Sequence, residues 1–149
     1  MTEESIEYDK LFGGFAFSKD EIDAHVLAGE SGTYLLSEGE QSQNNKLLVT
    51  YVGRAVVGET EDLRTRLKAH FHKKDEQKKD EEGKVLKDAD GNPISIYTHF
   101  WFQYKKTALD AYEQECKDYH KYGAVHTLRN KIHPAKNKGS NRLCPVCRT

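Results

Sequence analysis

The chain predicts an α+β (α/β) domain, a small sandwich with a central three-stranded antiparallel sheet flanked by helices. Three observations point to it. Two strand-like runs, GTYLLS at 32–37 and KLLVTYV at 46–52, are joined by the polar, turn-prone SEGEQSQNN, which suits a hairpin loop. A later run, ISIYTHFWFQY at 94–104, is dense in β-branched and aromatic residues. Around these lie segments with helix caps and apolar side chains at helical spacing.

The elements follow in order. Ser18 and Glu21 make an S-x-x-E capping box, and Gly29 is a natural stop for a helix over 19–28. Phe12, Phe15 and Phe17, just before it, are expected to fold onto the core. Thr60 is expected to cap the next helix, with Glu61 and Asp62 in its first turn favourable to the helix dipole. On that helix Leu63, Leu67 and Phe71 share a core-facing stripe. Asp62, Arg66 and His70 form the stripe about 100° round from it. Residues 72–92, HKKDEQKKDEEGKVLKDADGN, read as a charge-dense, mobile or extended loop ending in a hairpin turned at Asp90-Gly91-Asn92. Thr107, with Asp110 three residues on, caps a last helix that carries Glu115 and ends at Gly123. No internal repeat stands out. The expected organisation is one domain over 1–149, with an N-terminal helical extension (1–30), a charged insertion (72–95) and a basic tail (124–149).

With 149 residues there is material for one core and not two. Charged residues make up 32% of the chain, and no apolar run approaches the roughly 18 residues of a membrane span, so no membrane partner is expected. The acidic start, MTEESIEYDK, lacks the charged-then-apolar layout of a secretory signal. Cys116, Cys144 and Cys147 are odd in number and clustered late. That argues against a disulfide framework and for a reducing compartment, with the cytoplasm expected and a metal implied. The net charge of −1 hides an asymmetry. Residues 1–30 hold eight acids and two lysines, net −6, whereas residues 117–149 hold eight bases and one acid, net +7. A basic face for phosphates is compatible with that distribution.

Val49–Phe71 concentrates the groups of chemical interest. A strand ends in Tyr51-Val52-Gly53, Arg54 follows, and a helix then sets Arg66 and His70 one turn apart. Upstream, Gly32-Thr33-Tyr34 opens a neighbouring strand. Downstream come Glu115 on a helix and Pro134-x-x-Asn137 in the tail. In this order the stretch from Gly32 to about Asn137 resembles the GIY-YIG nuclease superfamily, which includes certain homing endonucleases, some restriction enzymes and the nuclease module of the bacterial excision-repair endonuclease. Each short motif is common by chance; their order and their placement on strands and helices carry the resemblance. Thr33 and Val52 stand where the family has Ile, and both keep the β-branching a strand favours. The loop 55–59, the insertion and the gap from Glu115 to Asn137 are longer than in compact members, and Asn130 competes with Asn137 for the last position.

The resemblance implies a metal-dependent endonuclease acting on DNA, with RNA also open. Glu115 is then the ligand of a catalytic Mg²⁺ or Mn²⁺, the hard cation such chemistry favours. Arg66 pairs with the scissile phosphate and holds charge as it builds, and Arg54 neutralises phosphate from the loop. His70, with an ordinary pKa of about 6.5, takes or relays a proton. One tyrosine orients or deprotonates the attacking water, with Tyr34 favoured over Tyr51. On pattern alone Glu115 is an ordinary helix glutamate and both tyrosines are ordinary sheet aromatics. A non-cleaving nucleic-acid-binding module, or a protein-interaction domain using the charged insertion, fits the same residues.

Cys144-x-x-Cys147 has the spacing of half a zinc site, and Cys116 with His120, at i and i+4 on one helix face, supplies the other half. His126 and His133 are alternatives to His120. Such a structural Zn²⁺ site would pin the tail to the helix carrying Glu115.

Overall fold

The computed structural model describes residues 6–40, 47–122, 128, 134 and 144–146. Along the chain run β1 (Phe12–Ala16), α1 (Lys19–His25), β2 (Gly32–Glu40), β3 (Leu47–Ala55), α2 (Leu63–Ala69), β4 (His99–Tyr104) and α3 (Ala108–Lys121). The strands form one antiparallel sheet in the order β1-β4-β2-β3. Among the described residues the sheet therefore has four strands rather than the expected three. The addition is β1, FGGFA, in a stretch of which only the phenylalanines were expected to reach the core. Both glycines lie over the Trp101 ring of β4, where a Cβ would collide with the indole. Their lack of side chains is what lets β1 dock there, and Gly13, at φ 141°, also holds a backbone angle that other residues rarely adopt.

The helix ends obey tertiary bonds as much as local signals. Ser18 Oγ accepts from the Glu21 N–H at 3.1 Å, as the capping box predicts. The helix stops at His25, short of the expected 28, because the next residues find partners elsewhere. The Val26 carbonyl accepts from Arg64 Nε at 2.7 Å, and the Leu27 N–H donates to the Tyr104 hydroxyl at 3.0 Å. The cap of α2 is Asp62 rather than Thr60. Asp62 Oδ1 accepts from the Thr65 N–H at 2.9 Å and Oδ2 from the Gly29 N–H at 2.5 Å. Thr60 Oγ1 instead accepts from the Val56 N–H at 3.1 Å within the preceding turn. Thr107 caps α3 as expected, accepting from the Asp110 N–H at 3.0 Å. Gly123, the expected stop, lies outside the described residues.

Strand alternation sends side chains to two cores. On one face Tyr34, Leu36, Phe100 and Phe102 pack under Ile22 of α1, Val26 just after it, and Leu63 and Leu67 of α2, with Phe71 beyond. On the other, Leu35, Val49 and Val52 pack with Tyr119 of α3 and Leu128.

The insertion differs from the expected mobile or extended loop. It contains a tandem octapeptide, KDEEGKVL at 79–86 and KDADGNPI at 87–94, contrary to the expectation of no repeat. Each copy makes the same turn. Asp80 Oδ1 accepts from the N–H groups of Glu82 and Lys84, both at 2.9 Å, and Asp88 Oδ1 from Asp90 at 2.9 Å and Asn92 at 3.0 Å. Gly83 and Gly91 both take φ 83°, which closes each turn. The second turn falls close to the expected Asp90-Gly91-Asn92. Backbone bonds then run in a ring: Lys78 N–H to Ile94 O, Ile94 N–H to Leu86 O, and Leu86 N–H to Lys78 O, at 2.7, 3.0 and 2.9 Å. The Ile96 N–H donates to Glu76 O at 2.8 Å and closes the neck. The excursion thus leaves and returns with Glu76 and Tyr97 side by side.

Candidate active site

Tyr34 is the third residue of β2, opposite Gly53 of β3. A Cβ at Gly53 would run into the Tyr34 ring, so the glycine of Y-V-G leaves the space that the tyrosine fills. Tyr34 is only 1% exposed, and its hydroxyl lies 2.7 Å from Nε2 of His70. His70, fully buried, sits in a 3₁₀ turn (His70–His72) that continues α2. Its Nδ1 lies 2.8 Å from Oε1 of Glu76, and the Tyr97 hydroxyl donates to Oε2 of Glu76 at 2.5 Å. The result is a continuous buried chain, Tyr34–His70–Glu76–Tyr97. The half-buried Tyr51 ring packs edge-on to His70 at 4.7 Å and stacks on Tyr34 at 6.1 Å, with Lys73 Nζ 5.7 Å above its centre. Arg66, one turn before His70, acts on the Tyr34 phenol as a positive charge. Its Nε is buried and has no hydrogen-bond partner among the described residues.

Burial dominates the electrostatics of this cluster. It drives the Tyr34 phenol well above its ordinary 10.0, helped by Tyr51 and opposed by Arg66. It raises Tyr51 as well, again against Arg66. It lowers His70, partly offset by the hydrogen bond and charge of Glu76. For Glu76 burial favours the acid form, but the bonds to His70 and Tyr97 and the charge of His70 outweigh it and bring the carboxyl below its usual value. These directions agree on one state at neutral pH, a neutral imidazole beside a carboxylate. Nδ1 then carries the proton and donates to Glu76, while Nε2 accepts from the Tyr34 hydroxyl.

Glu115 reaches the region from α3, on the opposite face of the sheet. Arg54 is in β3, not in the loop expected for it, and its Nη1 donates to Glu115 Oε1 at 2.6 Å. Its guanidinium also lies over the Tyr112 ring at 5.3 Å. Glu115 is 8% exposed; burial raises its carboxyl, Arg54 opposes, and burial wins. The second carboxylate oxygen accepts no hydrogen bond from a described residue. Although the two groups lie on opposite faces of the sheet, the Glu115 charge acts on Tyr34, Tyr51 and Arg66. Thus Tyr34, Tyr51, Arg66 and His70 share one cluster, and the Arg54–Glu115 ion pair stands next to it. Asn137 and its competitor Asn130 lie outside the described residues.

Cys116 of α3 and Cys144 are fully buried and pack together with Tyr112. His120 follows Cys116 one turn along the same helix. Cys147, His126 and His133 lie outside the described residues. Among the described residues no group of three or more His, Cys, Asp or Glu side chains is placed to hold a metal ion.

Glu76 and Tyr97 are the site neighbours that sequence reasoning missed. Glu76 lies in an acid-rich run with no periodicity to single it out, and Tyr97 looked like one more aromatic of a strand. Comparison of the chain with protein-family models, curated proteins and solved structures gives no match. No described helix is long and apolar enough to cross a membrane.

Proposed function

We propose that this chain is a metal-dependent endonuclease of GIY-YIG type that hydrolyses DNA phosphodiester bonds. The observation that supports it most is the Tyr34 hydroxyl held 2.7 Å from the acceptor nitrogen of His70, with the positive charge of Arg66 acting on the same phenol. That gives a proton path ending beside a cation able to bind phosphate. A phenol with so high a pKa is a poor base if it must ionise first. Tyr34 avoids this by passing its own proton to His70 Nε2 as it takes one from water. The water oxygen bonds to phosphorus as the bond to the leaving oxygen breaks, and the leaving oxygen takes a proton from solvent. Arg66 holds the phosphoryl oxygens as their charge grows. Tyr51, half-buried, forms the outer wall.

Glu115 offers one carboxylate oxygen steadied by Arg54 and a second with no described donor, which fits a hard cation completing its shell with water and phosphate. Bound there, Mg²⁺ or Mn²⁺ supplies Lewis-acid polarisation of the phosphoryl group. Cys116 and Cys144, adjacent and buried, fit half of a structural zinc site, with Cys147 and one of His120, His126 or His133 as its other half. Near-stoichiometric zinc in the purified protein, and a lower melting temperature for Cys144→Ser, are the expected results; absence of either removes the zinc site.

Supercoiled plasmid incubated with Mg²⁺ or Mn²⁺ tests the enzyme reading. Wild type is expected to cut and Glu115→Ala not to, with both retarding DNA in a gel. One observation favours a second reading: Glu115 is already neutralised by Arg54, as in a non-cleaving nucleic-acid-binding module. Retardation without cleavage by wild type would establish that module instead.

A further inference from the structure

We infer that Glu76, steadied by Tyr97, is a positioning residue for His70: by accepting the Nδ1–H it keeps Nε2 turned to the Tyr34 hydroxyl as a proton acceptor. The chemical purpose rests on the nuclease reading; the geometry does not. Both oxygens of Glu76 are committed, one to His70 at 2.8 Å and the other to Tyr97 at 2.5 Å, and Glu76 is 3% exposed. A buried carboxylate is costly unless its charge is satisfied, so this one is placed for what it binds. The backbone makes the same point. The tandem turns close in a ring, and the Ile96 N–H bond to the Glu76 carbonyl sets Glu76 and Tyr97 at one neck. The insertion thereby delivers an acid to the inner side of His70, which neither α2 nor the sheet supplies.

The groups that face His70 can be named from every side. Tyr34 approaches from β2, Tyr51 from β3 and Tyr97 from the segment before β4. Arg66 of α2 and Lys73 of the following turn act on it as positive charges. Among these described neighbours Glu76 is the anion at Nδ1. Tyr34–His70–Glu76 thus has the logic of a proton donor, a base and a group that orients the base. When the Tyr34 proton moves to Nε2, the new imidazolium keeps its Nδ1–H on Glu76, whose charge stabilises it. The proton returns through Tyr34 once the product has left.

The test reads the tautomer directly and separately from activity. Long-range proton–nitrogen NMR correlations on the full-length protein should show His70 of wild type protonated at Nδ1. In Glu76→Gln the neutral amide no longer enforces that form, and a share of Nε2–H is expected. Plasmid cleavage by Glu76→Gln should fall on the order of 10²-fold. The acid limb of its pH–rate profile should shift to lower pH, because the charge that lifts the His70 pKa is gone. Tyr97→Phe keeps the packing and removes one bond to Glu76, so its loss should be smaller, about 10-fold or less. Tyr97→Phe guards against simple unfolding of the first variant. Wild-type His70 protonated at Nε2, or Glu76→Gln leaving both tautomer and acid limb unchanged, would overturn the inference. A tautomer that responds to Glu76 in a protein that cuts no DNA would uphold the positioning role and remove the nuclease reading.

Discussion

Gly53 shows how a single residue decides whether the site exists. It faces the Tyr34 ring across the β2–β3 pair, where any Cβ would overlap the phenol. Gly53→Ala should therefore cost about 1–3 kcal/mol, the range for overpacking, and displace Tyr34 from His70. Urea unfolding of the variant checks the first effect and loss of cleavage the second. Asp118 offers a test of burial. Desolvation pushes its carboxyl from 3.8 to about 6, against the hydrogen bond from Gln114 and the charges of Lys121, Lys105 and Lys117. A raised carboxyl supports stability at low pH and loses that support as pH rises from about 4 through about 6. Asp118→Asn should then be near neutral at pH 4 and stabilising by up to about 3 kcal/mol at pH 8, at about 1.4 kcal/mol per pKa unit. Equal effects at the two pH values would contradict the account. Roles carried by short-range pattern, such as Ser18 and Thr107 at their caps, were readable in the sequence. Glu76 was not, because nothing local distinguishes it from the acids around it.

At the level of elements, legibility followed the range of the forces involved. Leu63, Leu67 and Phe71 were recognisable because helical spacing alone places them together, and all three are buried. The early end of α1 was hidden, because Arg64 and Tyr104 capture its last residues from 38 and 77 positions away. The cap of α2 moved to Asp62 because that side chain binds Gly29 as well as Thr65. Asp62→Ala should cost about 1–2 kcal/mol in thermal or chemical unfolding, the upper range for caps. A loss no greater than that of an exposed surface residue would show that the bond to Gly29 contributes nothing. The fourth strand escaped notice for a different reason: Gly13-Gly14 carries no strand propensity, and its value is apparent only with Trp101 beneath it. The octapeptide repeat was present in the letters but lay within a charge-rich stretch that invited a reading as solvated loop.

Across the whole molecule, the two faces of the sheet divide the candidate chemistry. The α2 face supplies Tyr34, Tyr51, Arg66 and His70, the α3 face supplies Arg54 and Glu115, and the Glu115 charge reaches across to Tyr34, Tyr51 and Arg66. The sequence presented the order of these groups, but not that Arg54 would pair with Glu115 across 61 positions or that an insertion would reach back to His70. The central claim is that the buried Tyr34–His70 bond is a proton path for phosphodiester cleavage. Its most direct measurement is single-turnover cutting of supercoiled plasmid in Mn²⁺ by wild type and Tyr34→Phe, with folding confirmed by circular dichroism and DNA retention by gel shift. The account predicts cleavage by wild type and a loss of about 10²-fold or more for a folded, DNA-binding Tyr34→Phe, within the range ascribed to general acid–base groups. A folded Tyr34→Phe that cuts at the wild-type rate would contradict it.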